Sequence, residues 1–329
     1  MTAAVASGLA FGAAMTAAGF HDPSLVVAQM KFQDWHMARV FMAATASSAV
    51  IYAIAEKLGY IKLPPKSSSP MGLFGRYDGN FLGGALLGAG VALSGACPGS
   101  LYTQLATGLR SGFYTLGGAV AGGIAWNGIL GGVVRRWRHE ANVSPEPRAV
   151  HEQLRLSRTT TLLLLEAVCL AVMALTARHA RPSANVKPTG AVAGLLIGFA
   201  QLVSVVTRRA MLGASGAFQE AGRLFLELAG GSHLNAKFGR YQDLVFASSV
   251  AAGAWGTLQA VPALAAGPML ELPPLLATVG GVLMAIGAAM AGGCTSGHGI
   301  SGMSLLSTSS FITIVSMFAA GAMVTPLVY

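Results

Sequence analysis

The sequence feature that most restricts the fold is a series of apolar segments, each about as long as a bilayer is thick. A helix that spans a membrane needs about 20 predominantly apolar residues. The 329-residue chain contains nine segments of this kind, near residues 2–20, 36–57, 80–97, 112–133, 159–178, 189–207, 242–262, 274–293 and 310–328. We therefore expect an all-α integral membrane protein with about nine spans.

The low content of charged residues supports this class and argues against a soluble enzyme. Charged residues make up only 10% of the chain, whereas soluble domains usually carry about 25%. So few charges cannot cover a water-facing surface. The formal net charge of +9 does not indicate nucleic-acid binding, because the basic residues cluster in the loops between apolar segments, as membrane orientation requires.

Four shorter segments are too short to cross a bilayer, yet too apolar and too rich in Gly and Ser for solvated loops. They lie near residues 22–33, 98–109, 214–229 and 295–307. Irregular backbone persists at membrane depth only where protein or a water-filled cavity surrounds it. We interpret these segments as re-entrant half-helices that enter the membrane and stop.

An internal repeat sets the predicted topology. A pattern of glycines that ends in a cysteine occurs twice at one constant offset: Gly83, Gly90, Gly95 and Cys97 match Gly280, Gly287, Gly292 and Cys294. The pattern divides the chain into a first unit, 1–134, and a second unit, 189–329. Between them, 135–188 holds a basic loop and a linking span.

The parity of the spans then fixes the relation between the two units. Four spans in each unit and one linking span place the second unit upside down relative to the first. Inverted repeats of this kind put a shared site near the bilayer midplane. This arrangement favours a transporter or channel over a purely structural membrane protein.

The distribution of basic residues predicts the orientation. Fifteen Lys and Arg residues fall on the N-terminal side of the predicted spans and six on the other side. Because cytoplasmic loops are enriched in Lys and Arg, we expect a cytoplasmic N-terminus in a plasma or bacterial inner membrane.

Two cysteine-containing turns give the sharpest functional signal. The first contains Gly95, Cys97, Pro98, Gly99 and Ser100, and the second contains Thr295, Ser296, Gly297 and His298 after Cys294. Pro suits the first helical position, so we expect Cys97 to be an N-cap, while Thr295 and Ser296 cap the second half-helix. Helix N-termini favour anions, and a neutral thiol adds a weak S–H donor that suits a sulfur anion.

Other polar residues at the half-helix starts are weaker candidates for the same path. His21 and Asp22 precede the first half-helix, where they form either one mouth of the path or a capped interfacial turn, and Ser215 precedes the half-helix near 214–229. His298 follows Cys294 by four residues and is expected to face the path. Cys169 lies outside the repeat and is expected to contribute packing only. We expect no metal site and no cofactor, because close pairs of zinc ligands are missing from the sequence.

The paired cysteine turns, their spacing and the duplicated nine-span plan resemble the YeeE/YedE family of sulfur-transport membrane proteins over nearly the whole chain. The resemblance implies an hourglass bundle with central half-helices, in which Cys97 and Cys294 relay thiosulfate by hydrogen bonding. It also implies a TusA-like cytoplasmic sulfur carrier as a partner. One difference is that the first turn, 18–24, contains no cysteine, whereas family members that import thiosulfate have one there.

Three functions remain open at this point. The leading hypothesis is transport of thiosulfate or a related small sulfur anion past the two thiols, without enzymatic activity. The first alternative is a channel or carrier for another small anion or neutral solute. The second is a membrane sulfurtransferase or thiol-redox enzyme that uses the same cysteines covalently.

Overall fold

The computed structural model describes residues 1–179, 188–230, 241–265 and 267–329, and these residues form an all-α bundle. The α-helices are α1 (Thr2–Ala17), α2 (Pro23–Met30), α3 (His36–Lys57), α4 (Asp78–Ser94), α5 (Ser100–Ala106), α6 (Arg110–Ala125), α7 (Gly131–Glu140), α8 (Val150–Gln153), α9 (Arg158–His179), α10 (Gly190–Arg208), α11 (Gly216–Ala229), α12 (Gln242–Ala260), α13 (Pro274–Ala291) and α14 (Thr308–Val328). A short 3₁₀ helix covers Pro262–Ala265, and π-helical segments cover Trp126–Leu130 and Thr295–Gly302.

Each of the nine predicted spans coincides with a helix, which confirms the all-α membrane class. Six of the described helices are long and apolar enough to cross a bilayer by themselves. Of the other three, α1 has 16 residues and α4 has 17, while α12 is long enough but less apolar. Helix α4 packs between the longer helices α13 and α14, while α1 and α12 pack on each other.

The outer surface of the bundle is suited to lipid. In the linking helix α9, only 17% of the residues in the apolar stretch are buried inside the protein. Its exposed side chains include Leu163, Leu164, Val168 and Leu170. A water-soluble protein rarely exposes such a contiguous apolar surface. We conclude that the chain is a multi-pass integral membrane protein.

The packing of the helices repeats with approximate two-fold symmetry. Helix α1 packs on α12 and α10 packs on α3, while α4 packs on α14 and α13 packs on α6. The counterparts in the two units are α1 and α10, α3 and α12, α4 and α13, and α6 and α14. When each helix is exchanged with its counterpart, the α1–α12 contact becomes the α10–α3 contact, and the α4–α14 contact becomes the α13–α6 contact. Such reciprocal contacts are the arrangement expected for two copies of one structural unit.

Glycines allow the central pair of helices to approach closely. Gly83 of α4 lies against Gly287 of α13, and Gly90 of α4 lies against Gly280 of α13. The start of one helix thus meets the end of the other, so α4 and α13 are antiparallel. Because lipid provides no hydrophobic drive for helix association, close backbone contact through small residues stabilises such pairs.

One helix is longer than the predicted span that it contains. The first unit is predicted to end at residue 134, but the helix continues from Arg110 through the π-helical segment to Glu140. The basic side chains at the start of 135–158 are compatible with a helix that extends beyond the membrane, because Arg is a good helix former. The end of the predicted linking region, residues 180–187, lies outside the described residues.

Candidate functional site

The first cysteine turn links α4 to the half-helix α5. Gly95 ends α4 in the left-handed region, with φ of 58°, which a residue with a side chain rarely adopts. The Cys97 sulfur then accepts the N–H of Ser100 at 3.3 Å, and the Ser100 hydroxyl accepts the N–H of Cys97 at 2.8 Å. This reciprocal pair has the geometry of a capping box.

This contact places Cys97 in the turn before α5, but the helix starts later than expected and its N-cap position is Gly99 rather than Cys97. Regular α-helix begins at Ser100 rather than at Pro98, with Gly99 as the last residue before it. The amides of Cys97 and Ser100 are used by the capping pair, so they are not free anion donors. What remains available is the thiol itself, which can donate its S–H while its sulfur accepts.

The second cysteine turn has the same backbone plan but a different helix. Gly292 ends α13 in the left-handed region, with φ of 79°, and Cys294 precedes the π-helical segment. Thr295 and Ser296 were expected to cap this segment, and that expectation is wrong. The Thr295 hydroxyl lies 3.3 Å from the Met317 sulfur, and the Ser296 hydroxyl lies 3.3 Å from the Cys294 sulfur.

Ser215, which precedes α11, lies next to the second cysteine turn. Its hydroxyl and the backbone N–H groups of Ala214 and Gly297 are neighbours of the Cys294 sulfur. Ser215, Gly297 and Cys294 also line one cavity of about 320 Å³. The half-helix starts of the second unit therefore meet at Cys294.

A smaller cavity lies beside Cys97. It measures about 50 Å³, and Cys97 and Thr295 line it together with mainly apolar side chains, among them Phe41, Met317 and Phe318. Because Thr295 directly follows Cys294, this cavity extends from Cys97 to the second cysteine turn.

The two histidines are held by the protein rather than presented to these cavities. His298 was expected to face the path, but its ring is fully buried, with its nitrogens 2.9 Å from the Ser310 hydroxyl and 3.1 Å from the Ala291 carbonyl. The His21 nitrogens lie 3.2 Å and 2.9 Å from the carbonyls of Thr16 and Leu264. Both side chains thus fix the turns in which they lie.

Asp22 behaves as a capping residue. Its carboxylate accepts the N–H of Ser24 at 2.8 Å and the hydroxyl of Ser24 at 2.7 Å. Pro23, at the first position of α2, lies against Gly95. The first half-helix turn therefore keeps its geometry without a cysteine. Within the described part of the chain, no group of three His, Cys, Asp or Glu side chains is placed to hold a metal ion.

Lys66, which no sequence motif singles out as a site residue, lies beside the second cysteine turn. The Lys66 ammonium donates to the Gly292 carbonyl at 3.2 Å and lines the same cavity as Cys294. Burial lowers the pKa of this ammonium. In the sequence, Lys66 looked like one of many basic loop residues, and only the preceding Pro64-Pro65 pair marked its loop as rigid.

We expect Cys169→Ala to transport like the unmodified protein. Cys169 is fully buried on α9 among Ala49, Leu165 and Leu306, away from both cavities. Removing its sulfur therefore costs roughly 1 kcal/mol of packing. Uptake by the purified variant in liposomes, at matched protein levels, checks this. Loss of uptake with normal insertion would show that the transport path runs beside α9 and not past Cys97 and Cys294.

Comparisons with known proteins agree with this architecture. The sulphur transport family matches residues 17–324. A curated relative, the thiosulfate transporter TsuA of Spirochaeta thermophila, is 24% identical over 297 residues, which cover 86% of each chain. The family match includes both cysteine turns, all four predicted half-helices and the helices that carry them. The protein described here therefore belongs to the sulphur transport family of membrane transporters.

Proposed function

We propose that the protein carries thiosulfate, or a similarly small sulfur anion, across the membrane past Cys97 and then Cys294. The observation that carries this proposal is the pairing of two thiols at equivalent turns of the repeat, each beside a cavity. The thiosulfate transporter named among the relatives supports the choice of substrate.

The environment of the thiols favours hydrogen bonding over covalent chemistry. The Cys97 sulfur accepts a backbone N–H, while the Cys294 sulfur is surrounded by hydroxyl and amide groups. A group that accepts a hydrogen bond becomes a better donor. The S–H groups can therefore donate to an incoming anion.

Uptake into liposomes tests the proposal directly. Purified protein is reconstituted, and the entry of radiolabelled thiosulfate, sulfite, sulfate and formate is compared. We expect saturable thiosulfate uptake that exceeds uptake of sulfate and formate. The panel is needed because the first half-helix turn lacks a cysteine, so the selectivity can differ from that of thiosulfate importers. Equal entry of all four anions would support an unselective channel instead.

Substitution by serine separates hydrogen bonding from covalent sulfur transfer. We expect Cys97→Ser and Cys294→Ser to keep partial uptake with a raised KM, because a hydroxyl also donates and can cap α5. Weakening one hydrogen bond costs roughly 1–3 kcal/mol. KM and the maximal rate are measured for each variant in liposomes.

Mass spectrometry after exposure to thiosulfate completes this test. We expect no added sulfur on either cysteine. A stable persulfide, together with serine variants as inactive as alanine variants, would favour the sulfurtransferase alternative.

The proposed direction of transport is inward. With the N-terminus in the cytoplasm, as the basic residues predict, the anion meets Cys97 before Cys294 and leaves beside Lys66. A TusA-like cytoplasmic sulfur carrier remains a predicted partner on that side. Uptake by inside-out and right-side-out vesicles distinguishes the two directions.

A further inference from the structure

Glycine at position 297 leaves a space between a cation and a thiol. A Cβ atom built on Gly297 would lie 3.4 Å from the Lys66 ammonium and 3.9 Å from the Cys294 sulfur. The third of the three nearest heavy atoms is Cε of the same lysine, at 3.9 Å. Lys66, Cys294 and Gly297 line one cavity, so one small ligand in that cavity can reach both the ammonium and the thiol.

The lysine is fixed in position by its backbone. Its N–H donates to the Ser307 hydroxyl at 2.7 Å, and its carbonyl accepts from the Ser309 hydroxyl at 2.9 Å. Ser307 and Ser309 lie at the start of α14, directly after the second cysteine turn. The loop that carries Lys66 is therefore anchored at the start of α14, and the ammonium itself is held by its hydrogen bond to the Gly292 carbonyl.

Two cavities meet at this lysine. The inner cavity, of about 320 Å³, contains Cys294. The outer cavity, of about 590 Å³, contains Arg135 and Arg138. Lys66 and Gly292 line both cavities. An anion that moves between Cys294 and the outer, basic cavity must therefore pass the ammonium.

One acidic residue also lines the inner cavity. Asp243 faces it, but a guanidinium nitrogen of Arg208 lies 3.9 Å from the Asp243 carboxylate. The Arg208 side chain is mostly buried, so the pair is only weakly screened by water. The negative charge of Asp243 is offset locally by Arg208, whereas the Lys66 ammonium donates its hydrogen bond to a neutral carbonyl.

We propose that Lys66 and Cys294 form an anion subsite at the space left by Gly297, where the departing anion binds before it enters the outer cavity. The ammonium binds a negatively charged oxygen or sulfur of the anion, and the thiol donates to the same group. In the empty site, the Gly292 carbonyl takes the place of the anion. This inference deepens the proposed transport function and rests on it.

Two substitutions test the subsite from opposite directions. Lys66→Met removes the charge at similar length, while Gly297→Ala keeps the lysine and fills the space at ordinary contact distances. Loss of a charge-assisted hydrogen bond should raise the KM for thiosulfate about 10- to 100-fold in Lys66→Met. We expect a similar rise in Gly297→Ala and a smaller one in Lys66→Arg.

Matched controls separate effects on the subsite from the general effects of losing a charge or adding a methyl group. Lys62→Met removes another positive charge from the same loop, where Lys62 is 82% exposed. Gly117→Ala adds a methyl group on α6, where no heavy atom lies within 4 Å. Both controls should keep a KM within about twofold of the unmodified protein, because neither touches the path.

A binding assay that does not depend on transport completes the test. Alkylation of Cys294 is followed by mass spectrometry with sodium thiosulfate or with sodium chloride of equal ionic strength. We expect thiosulfate to slow alkylation in the unmodified protein but not in Lys66→Met or Gly297→Ala. Unchanged KM and protection in both variants would overturn the subsite and leave the proposed function standing. Absent uptake with intact protection would overturn the transport function alone, and absent protection in the unmodified protein would overturn the subsite.

Discussion

Replacing either path cysteine by alanine should reduce thiosulfate uptake by at least about 100-fold. In Cys97→Ala, the substrate loses a donor and the N–H of Ser100 loses its acceptor. A buried polar group without a partner costs roughly 1–3 kcal/mol, and loss of a helix cap costs about 1 kcal/mol more. In Cys294→Ala, Ser296 loses its contact with the sulfur, and the anion loses its last thiol. Uptake into liposomes at equal protein content measures the loss.

The controls for this prediction are the other cysteine variants. Cys169→Ala should retain normal uptake, and the two serine variants should retain a fraction of it. Thermal unfolding in detergent must show that both alanine variants remain folded. Full uptake by either alanine variant would show that the anion does not need that thiol.

Gly118→Val should disrupt the bundle, whereas Gly117→Val should be tolerated. A side chain at Gly118 of α6 would collide with the backbone carbonyl of Thr278 on α13. Backbone cannot rotate away as a side chain can, so the helices must separate. Overpacking of this kind costs typically 1–3 kcal/mol and occasionally more. We expect a clear fall in the unfolding temperature and in the yield of folded protein.

Gly117 provides a neighbour on the same helix as the control. It is exposed, and a Cβ there would meet no heavy atom within 4 Å. Valine has a similar intrinsic effect on the helix at either position, so the difference between the two variants reports helix packing alone. Equal unfolding temperatures for the two variants would contradict the close contact between α6 and α13.

Much of the fold follows from local properties of the sequence. The apolar segments predict the spanning helices, because burying backbone in lipid demands hydrogen bonds within each segment. The repeat of Gly83, Gly90 and Cys97 at Gly280, Gly287 and Cys294 predicts two matched turns. Gly95 and Gly292 do end α4 and α13 in the left-handed conformation. These features depend on residues that are close in sequence.

Helix boundaries near the turns were harder to predict. Pro98 suits the first position of a helix, yet α5 begins only at Ser100, because the reciprocal contacts of Cys97 and Ser100 occupy the preceding turn. The second turn forms π-helix instead of α-helix, and its hydroxyl groups contact Met317 and Cys294 instead of capping it. Among these partners only Met317 comes from another helix, and the other contacts are local side-chain contacts that replace the regular start of a helix.

Apolar length and glycine spacing are local properties of the chain. They predict that it crosses a membrane as helices and that two equivalent turns carry thiols. Which polar groups share a cavity with those thiols depends on the tertiary structure. In the folded chain, the His298 ring contacts Ser310 and Ala291, and Lys66 lies beside the turn of Cys294, more than 200 residues away in the sequence. A side chain's partners depend on how distant helices pack, and one sequence does not display that packing.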